Sequence, residues 1–242
     1  GLDDLMTENP RVVDGMIDIF GGWIDNFGVD GFRIDTARHV DKGFWHRFVP
    51  AMEARAAAKG IPNFTMFGEV ALLSSDPGGT AIYTHYGLPA VLDFAFRQAI
   101  VETVAGNSGT DVWEKLFDGD VLYDGGYDTA MTLPTFSGNH DFGRLPTFIR
   151  KSFPDAGEAE VMARVKLANA MLLTLRGVPT IYSGDEQGFV GDGDDQGARE
   201  DMFPSKVASY NDNDLLGTDA TTAVSNFDEQ HPLYREIATL AK

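Results

Sequence analysis

Three carboxylates stand at the ends of strand-like segments of this sequence or of the short run that follows one. Asp35 ends Gly-Phe-Arg-Ile-Asp (31–35), Glu69 ends Phe-Thr-Met-Phe-Gly-Glu (64–69), and Asp141 ends Ser-Gly-Asn-His-Asp (137–141). Carboxylates that meet on one rim suit acid–base and nucleophilic chemistry on an uncharged substrate. Arg33 lies two residues before Asp35, so on a strand both side chains share a face. A guanidinium there would hold Asp35 ionised, as a nucleophile needs. The charge of Asp35 and partial burial would both raise the pKa of Glu69 and keep it protonated as a general acid. Asn139 and His140, beside Asp141, offer neutral hydrogen bonds to a hydroxylated substrate. Taken singly, each acid also reads as a helix N-cap or a solvated loop residue. Arg33–Asp35 alone reads as a structural ion pair, and Asn-His-Asp alone as a turn. Their joint occurrence in one series of alternating elements favours the chemical reading.

The elements that must position these groups follow from hydrophobic period. Residues 11–27 carry apolar side chains at Val12, Val13, Met16, Ile17, Phe20, Trp23, Ile24 and Phe27, which predicts an amphipathic helix. Pro10 suits its start and Gly28 its end. Residues 31–35 alternate strictly and predict a strand. Residues 44–59 read as a helix, with Phe44, Trp45, Phe48, Val49 and Met52 on one side, broken by Gly60 and Pro62. Further strands are expected at 64–69, 90–94, 131–136 and 177–183, with Pro134 weakening the third of these. Further helices are expected at 96–106 and 159–175. Residues 184–201 read as a loop carrying seven acids against one arginine. Strands alternating with helices predict a parallel sheet with helices packed outside, and functional side chains at the C-terminal strand ends.

Composition narrows the function classes. The chain has 242 residues, 43% hydrophobic and 23% charged, enough for a sizeable core. Nineteen Lys and Arg against 37 Asp and Glu give a net charge of −18, which works against binding nucleic acid or an anionic membrane. There is no cysteine, so disulfides, thiolate metal sites and cysteine nucleophiles are excluded. No stretch approaches the roughly 20 apolar residues of a membrane-inserting helix. The opening Gly-Leu-Asp-Asp reads as the interior of something longer. The charge and the absence of cysteine suit a soluble protein working in an extracellular or periplasmic setting.

The motifs resemble those of the α-amylase family, family 13 of the glycoside hydrolases. GFRIDTARHV (31–40) resembles the family's fourth-strand motif, FGEV (67–70) its fifth, FSGNHD (136–141) its seventh, and GVPTIYSGDE (177–186) the segment around its eighth strand. LDDLMTENP (2–10) is a weaker echo of a leucine-proline-aspartate-leucine-asparagine stretch. The resemblance implies an α/β fold, a (β/α)8 TIM barrel of which the chain holds about strands 4 to 8. Residues 1–10 would be the tail of the domain inserted after strand three, and residues 11–242 a partial catalytic barrel. The family's third-strand motif, its first strands and its C-terminal β-domain have no counterpart here, so the isolated chain is expected to be inactive or weakly active.

Carried over by position, Asp35 matches the catalytic nucleophile, Glu69 the general acid/base and Asp141 the third, transition-state-stabilising acid. Arg33 matches the arginine that orients the nucleophile, and His140 a histidine that holds sugar hydroxyls. Arg38 stands where many members have a lysine that touches sugar on the leaving-group side. His39 matches a position whose backbone carbonyl often binds calcium. The implied reaction is retaining cleavage of an α-glucosidic bond in an α-glucan or maltooligosaccharide, through a covalent glycosyl-enzyme. An acceptor sugar in place of water would make the same machinery a transglycosylase. A non-catalytic amylase-like binding protein usually loses acids of the triad, and all three are present here. A metal-dependent barrel hydrolase would want several histidines at strand ends, and only His140 abuts a proposed catalytic acid. Tyr83, Tyr86, Phe142 and Tyr182 read either as sugar-stacking rings or as packing. The run Asp192-Gly-Asp-Asp-Gln-Gly reads as a solvated loop or as a calcium loop that lacks its spaced bidentate glutamate.

Overall fold

Asn9 opens the first helix by accepting a hydrogen bond from the Arg11 N–H at 3.0 Å, with Pro10 in the first turn. In the computed structural model, which describes residues 4–242, this helix (α1) runs Pro10–Phe27. Gly28 ends it in the left-handed region, φ 63°, and its N–H bonds back to the Ile24 carbonyl at 3.0 Å. Leu2 and Asp3 of the 2–10 stretch lie outside the described residues.

The chain divides into two compact units. The first comprises residues 4–94 with Gly119–Leu133. Its centre is a parallel pair, β1 (Gly31–Ile34) and β2 (Thr65–Gly68), in the register Gly31↔Thr65 to Ile34↔Gly68. Helix α2 (Lys42–Ala58) makes the crossover that parallel pairing needs, and the Asp41 side chain caps it through the Gly43 N–H at 2.8 Å. It buries Trp45, Phe48 and Met52 in the same core as Ile24 of α1. Full burial of such a side chain is worth about 1.5–3 kcal/mol over leaving it exposed. Short helices α3 (Gly78–His85) and α6 (Tyr127–Ala130) complete this unit.

The second unit comprises Ala95–Asp118 and Pro134–Lys242. Its parallel pair is β3 (Pro134–Thr135) with β4 (Val178–Pro179). Around it stand α4 (Phe94–Val104, whose first residue belongs to the other unit), α5 (Asp111–Asp118), α7 (Leu145–Ser152), α8 (Glu158–Thr174) and α9 (Pro232–Leu240). Phe96, Ile100, Leu116, Ile149, Val161 and Leu172 share its core. No helix among the described residues is long and apolar enough to cross a membrane.

The long helices fall within two residues of their sequence-based limits, whereas three strands are much shorter than expected. Segment 90–94 contributes only a bridge at Val91, where Gly68 exchanges backbone bonds with Ala90 and Leu92, before α4 begins at Phe94. Segment 131–136 loses its first three residues to the turn that closes α6, with Met131 bonded back to Tyr127 and Thr132 to Thr129. Pro134 and Pro179 bring no N–H to their ladder, so the bond from Thr180 N–H to the Thr135 carbonyl, 2.8 Å, ends the pairing. Beyond it, residues 182–185 turn into a short 3₁₀ helix at Asp185–Gln187.

Candidate functional site

Asp35 and Glu69 each stand one residue past the end of a strand, β1 and β2 respectively, and the ladder between those strands brings them together. The Glu69 N–H bonds to the Ile34 carbonyl at 2.8 Å, which fixes the register at the site itself. Arg33 and Asp35 share a face, as alternation requires, and the guanidinium bonds directly to the Asp35 carboxylate. Its second nitrogen lies 3.5 Å from Glu69. One arginine thus addresses both acids.

Thr36 ties the same two acids from the other side. Its hydroxyl donates to Asp35 at 2.8 Å, and its backbone N–H donates to the Glu69 carboxylate at 2.9 Å. It does so from a left-handed backbone, φ 54° and ψ 28°, which is unusual for a β-branched residue. The Asp35 carboxyl is held below its ordinary pKa by the Thr36 hydroxyl first and by the bond to Arg33 next, against a smaller desolvation effect. A hydrogen bond with Glu69 works in the same direction. The two acids differ in access: the Asp35 side chain is 68% exposed and that of Glu69 13%. Beside Asp35 opens a cavity of about 340 Å³ lined by Phe20, Phe32, Phe44 and Phe48.

Arg38 and His39 lie in the 3₁₀ turn Ala37–His39 that follows. The Arg38 side chain donates to the Ala71 carbonyl at 3.1 Å, and its own carbonyl accepts the Tyr83 hydroxyl at 3.2 Å. His39 is exposed. Among the described residues no three His, Asp or Glu side chains gather as a metal site. The acidic run spends groups on protein partners, with Asp192 accepting from the Asn213 amide at 2.5 Å and Asp195 from Arg199 at 2.7 Å. These residues do not by themselves fit a calcium site.

In the second unit the turn 139–143 presents His140 and Asp141. Asn139 and Gly143 exchange backbone bonds at 3.2 and 3.1 Å, and the Asn139 side chain accepts the N–H groups of Asp141 and Phe142. Gly143 has φ 89°, and a Cβ there would sit 2.5 Å from the Gly193 carbonyl oxygen, so the turn requires glycine. His140 Nε2 lies 3.2 Å from one Asp141 oxygen, and Arg199 donates to the other at 3.1 Å.

Beneath this turn runs a network the sequence did not announce. The Arg144 side chain is 0% exposed and donates to Glu200 and Asp185, both at 2.7 Å, and to the Ser183 carbonyl at 3.0 Å. It also lies 4.2 Å from the Tyr182 ring centre and 5.1 Å from that of Phe189. Desolvation alone would lower the Arg144 pKa, but the charges of Asp185 and Glu200 outweigh it and the net shift is upward. Arg199, next to Glu200 in sequence, is thereby held near Asp141. Thr36, Arg144, Asp185, Arg199 and Glu200 were all missed as site residues. A lone arginine three residues past Asp141 was the single available signal.

The proposed residues therefore assemble as two clusters, Arg33, Asp35 and Glu69 in one unit and His140 and Asp141 in the other. The four rings that read either as sugar-stacking or as packing all have protein partners: Tyr83 meets Tyr86 edge-on, Lys42 lies over Tyr86, Arg97 over Phe142 and Arg144 over Tyr182.

Comparison with known proteins adds independent findings. Residues 1–231 match the family model for the alpha amylase catalytic domain. The chain is 45% identical over its whole length to an alpha-amylase of Streptomyces lividans, of which it covers 26%. It is 30% identical to a cyclomaltodextrin glucanotransferase of Klebsiella oxytoca, over 76% of this chain and 30% of that protein. The crystal structure of an Anoxybacillus alpha-amylase superposes with a TM-score of 0.76 at 25% identity, covering 100% of this chain and 45% of the other. The chain thus spans less than half the length of each of these relatives.

Proposed function

The chain belongs to the α-amylase family and carries part of its (β/α)8 barrel, and from that premise we propose that it supplies the catalytic acids of a retaining α-glucoside hydrolase. Asp35 is the nucleophile. It is ionised, exposed, and aimed by Arg33 and Thr36. Glu69, more buried and tied to the same threonine, protonates the leaving oxygen and then activates water against the glycosyl-enzyme. Asp141 and His140 hold sugar hydroxyls and stabilise the oxocarbenium-like transition state. Residues 1–10 are the tail of an inserted domain, and residues 11–242 the partial barrel. The substrate is an α-glucan or maltooligosaccharide.

The observation that carries this reading is the Thr36 bridge, which joins an exposed ionised acid to a sheltered one. The test is stereochemical. Proton NMR of the first product, before mutarotation, is expected to show the α-anomer, because two displacements restore the starting configuration. An initial β-anomer would exclude Asp35 as nucleophile. The similarity to a cyclomaltodextrin glucanotransferase supports a second reading, in which an acceptor sugar replaces water in the second step. Formation of longer oligosaccharides from maltotriose would favour it.

A further inference from the structure

His231 engages both of its ring nitrogens inside the second unit, and we propose that it is an acid-operated latch, which holds helix α9 in place while the ring is neutral and releases it when the ring takes a second proton. Pro232 brings no N–H to the start of α9, so the Leu233 N–H is the first donor of the helix. His231 Nδ1 accepts it at 3.2 Å, and Nε2 lies 3.0 Å from the Leu216 carbonyl. A carbonyl only accepts and an amide N–H only donates, so the ring is the neutral tautomer with its proton on Nε2. A second proton has one place to go, Nδ1, where it meets the Leu233 N–H donor to donor. The cap is then lost, and two donors face each other in a buried site.

The ring stands where three segments meet. The Leu216 N–H bonds to the Gly188 carbonyl at 2.8 Å. Gly188 has φ 74°, and a Cβ there would collide with the Leu216 carbonyl oxygen and come within 3.1 Å of His231 Nε2. The Gln187 side chain donates to the Asp228 carbonyl at 3.2 Å and accepts the Asp228 N–H at 3.0 Å, and the His231 N–H bonds to the same Asp228 carbonyl at 3.1 Å. Helix α9 packs on α8 and on the short 3₁₀ helix Asp185–Gln187. Asp185 of that short helix holds Arg144 beneath the Asp141 turn, so releasing α9 takes a support from that network.

The charged groups around the ring come from several elements. Asp228 precedes it and Glu186 stands in the 3₁₀ helix, and both favour the imidazolium. Glu158 of α8 accepts the Gly217 N–H at 2.9 Å, beside Leu216, and Glu236 of α9 accepts from Asn169 of α8 at 3.4 Å. Asp185 is engaged by Arg144. Burial outweighs the nearby carboxylates and holds the His231 pKa below its ordinary 6.5. His231 is 3% exposed, and any chain packed against it would only deepen that burial. A folded-state pKa below the unfolded one means that the released ring binds the proton more readily. The stability this ring gives α9 is therefore complete above about pH 6.5 and is lost as pH falls below it.

The test is hydrogen–deuterium exchange of the protein at steps from pH 7 to 4.5, corrected for the intrinsic exchange rate at each pH. Protection of Arg235–Leu240 is expected to fall below pH 6.5 by up to about tenfold per pH unit, the slope of a single proton. Protection of α1 is expected to stay constant over the same range. His231→Asn keeps an acceptor for the Leu233 N–H and cannot titrate, so its α9 should be equally protected throughout. Unchanged protection of α9 in the wild type overturns the latch. So does an equal fall in His231→Asn, or a fall of α1 and α9 together. A second measurement needs no variant: ¹⁵N shifts of the wild-type imidazole at pH 7.5 should report the proton on Nε2, and a proton on Nδ1 would overturn the proposal. Neither experiment reads catalysis, so the latch and the hydrolase assignment can fail separately.

Discussion

Glu200 meets the Arg144 guanidinium at 2.7 Å although 56 residues separate them in sequence. With Asp185 on the neighbouring nitrogen, one buried cation ties the turn that presents Asp141 to the loop that supplies Arg199. Arg144→Met would leave two carboxylates without their counter-ion. A loss of about 3–5 kcal/mol is expected, since breaking a buried pair from one side strands the other charge. Urea unfolding measures it. A loss near zero would mean that the cation contributes nothing net to stability.

The same network predicts a pH dependence. Burial pushes the Asp185 carboxyl up to about 6, with Arg144 opposing the shift. A folded-state pKa above the unfolded one means that the folded protein holds the extra proton between about pH 4 and 6. The contribution of this group to stability is therefore greatest at low pH and falls as pH rises through 6. Relative to Asp185→Asn, which cannot titrate, the wild type should lose about 2 kcal/mol between pH 4.5 and 7. Urea melts of both proteins at the two pH values give the difference directly, and a constant difference would contradict the assignment.

Thr36→Ala removes the hydroxyl that does most to hold the Asp35 carboxyl low. The Asp35 pKa should rise, and because the ionised form is the nucleophile, the acidic limb of the kcat/KM profile should move to higher pH. Thr36→Ser, which keeps the hydroxyl, should leave the limb in place. The measurement is a pH–rate profile on a maltoside in the active protein. A limb that does not move in Thr36→Ala would show that the hydroxyl leaves the nucleophile untouched.

Glu69→Gln keeps the acceptor oxygen for Thr36 but removes the transferable proton. In the active protein it should lower turnover by about 10²–10⁴-fold on substrates with poor leaving groups. The loss should be smaller on an activated aryl maltoside, whose leaving group needs less protonation. Asp35→Asn should be severely impaired on both. Equal losses for Glu69→Gln on both substrates would point away from proton transfer.

What the sequence disclosed and what it withheld divide along a physical line. Helix α1 was legible to its ends because Pro10 and Gly28 act locally and Val13, Ile24 and their neighbours repeat at the helical period, whereas the Asn9 cap came only with the structure. The pairing of Arg33 with Asp35 was legible because strand alternation fixes which side chains share a face. Thr36 was not, since nothing in a tetrapeptide around it signals a left-handed backbone in a β-branched residue. Nor was the Arg144 network, whose members are separated in sequence by α7 and α8. The strand at 177–183 was overextended because apolar character continues to Ile181 and Tyr182, whereas the bond from the Thr180 N–H to the Thr135 carbonyl is the last of the pairing.

Thr36 also marks a place where two kinds of selection would part company. Its left-handed backbone is one that glycine or asparagine adopts at lower conformational cost, so a screen that rewards heat resistance alone would accept either of them there. Glycine has no side-chain group to offer Asp35, and asparagine offers an amide in place of the short hydroxyl. A screen for turnover would keep threonine and with it the backbone cost. Libraries randomised at this one position, sorted once by melting and once by rate, should therefore return different residues.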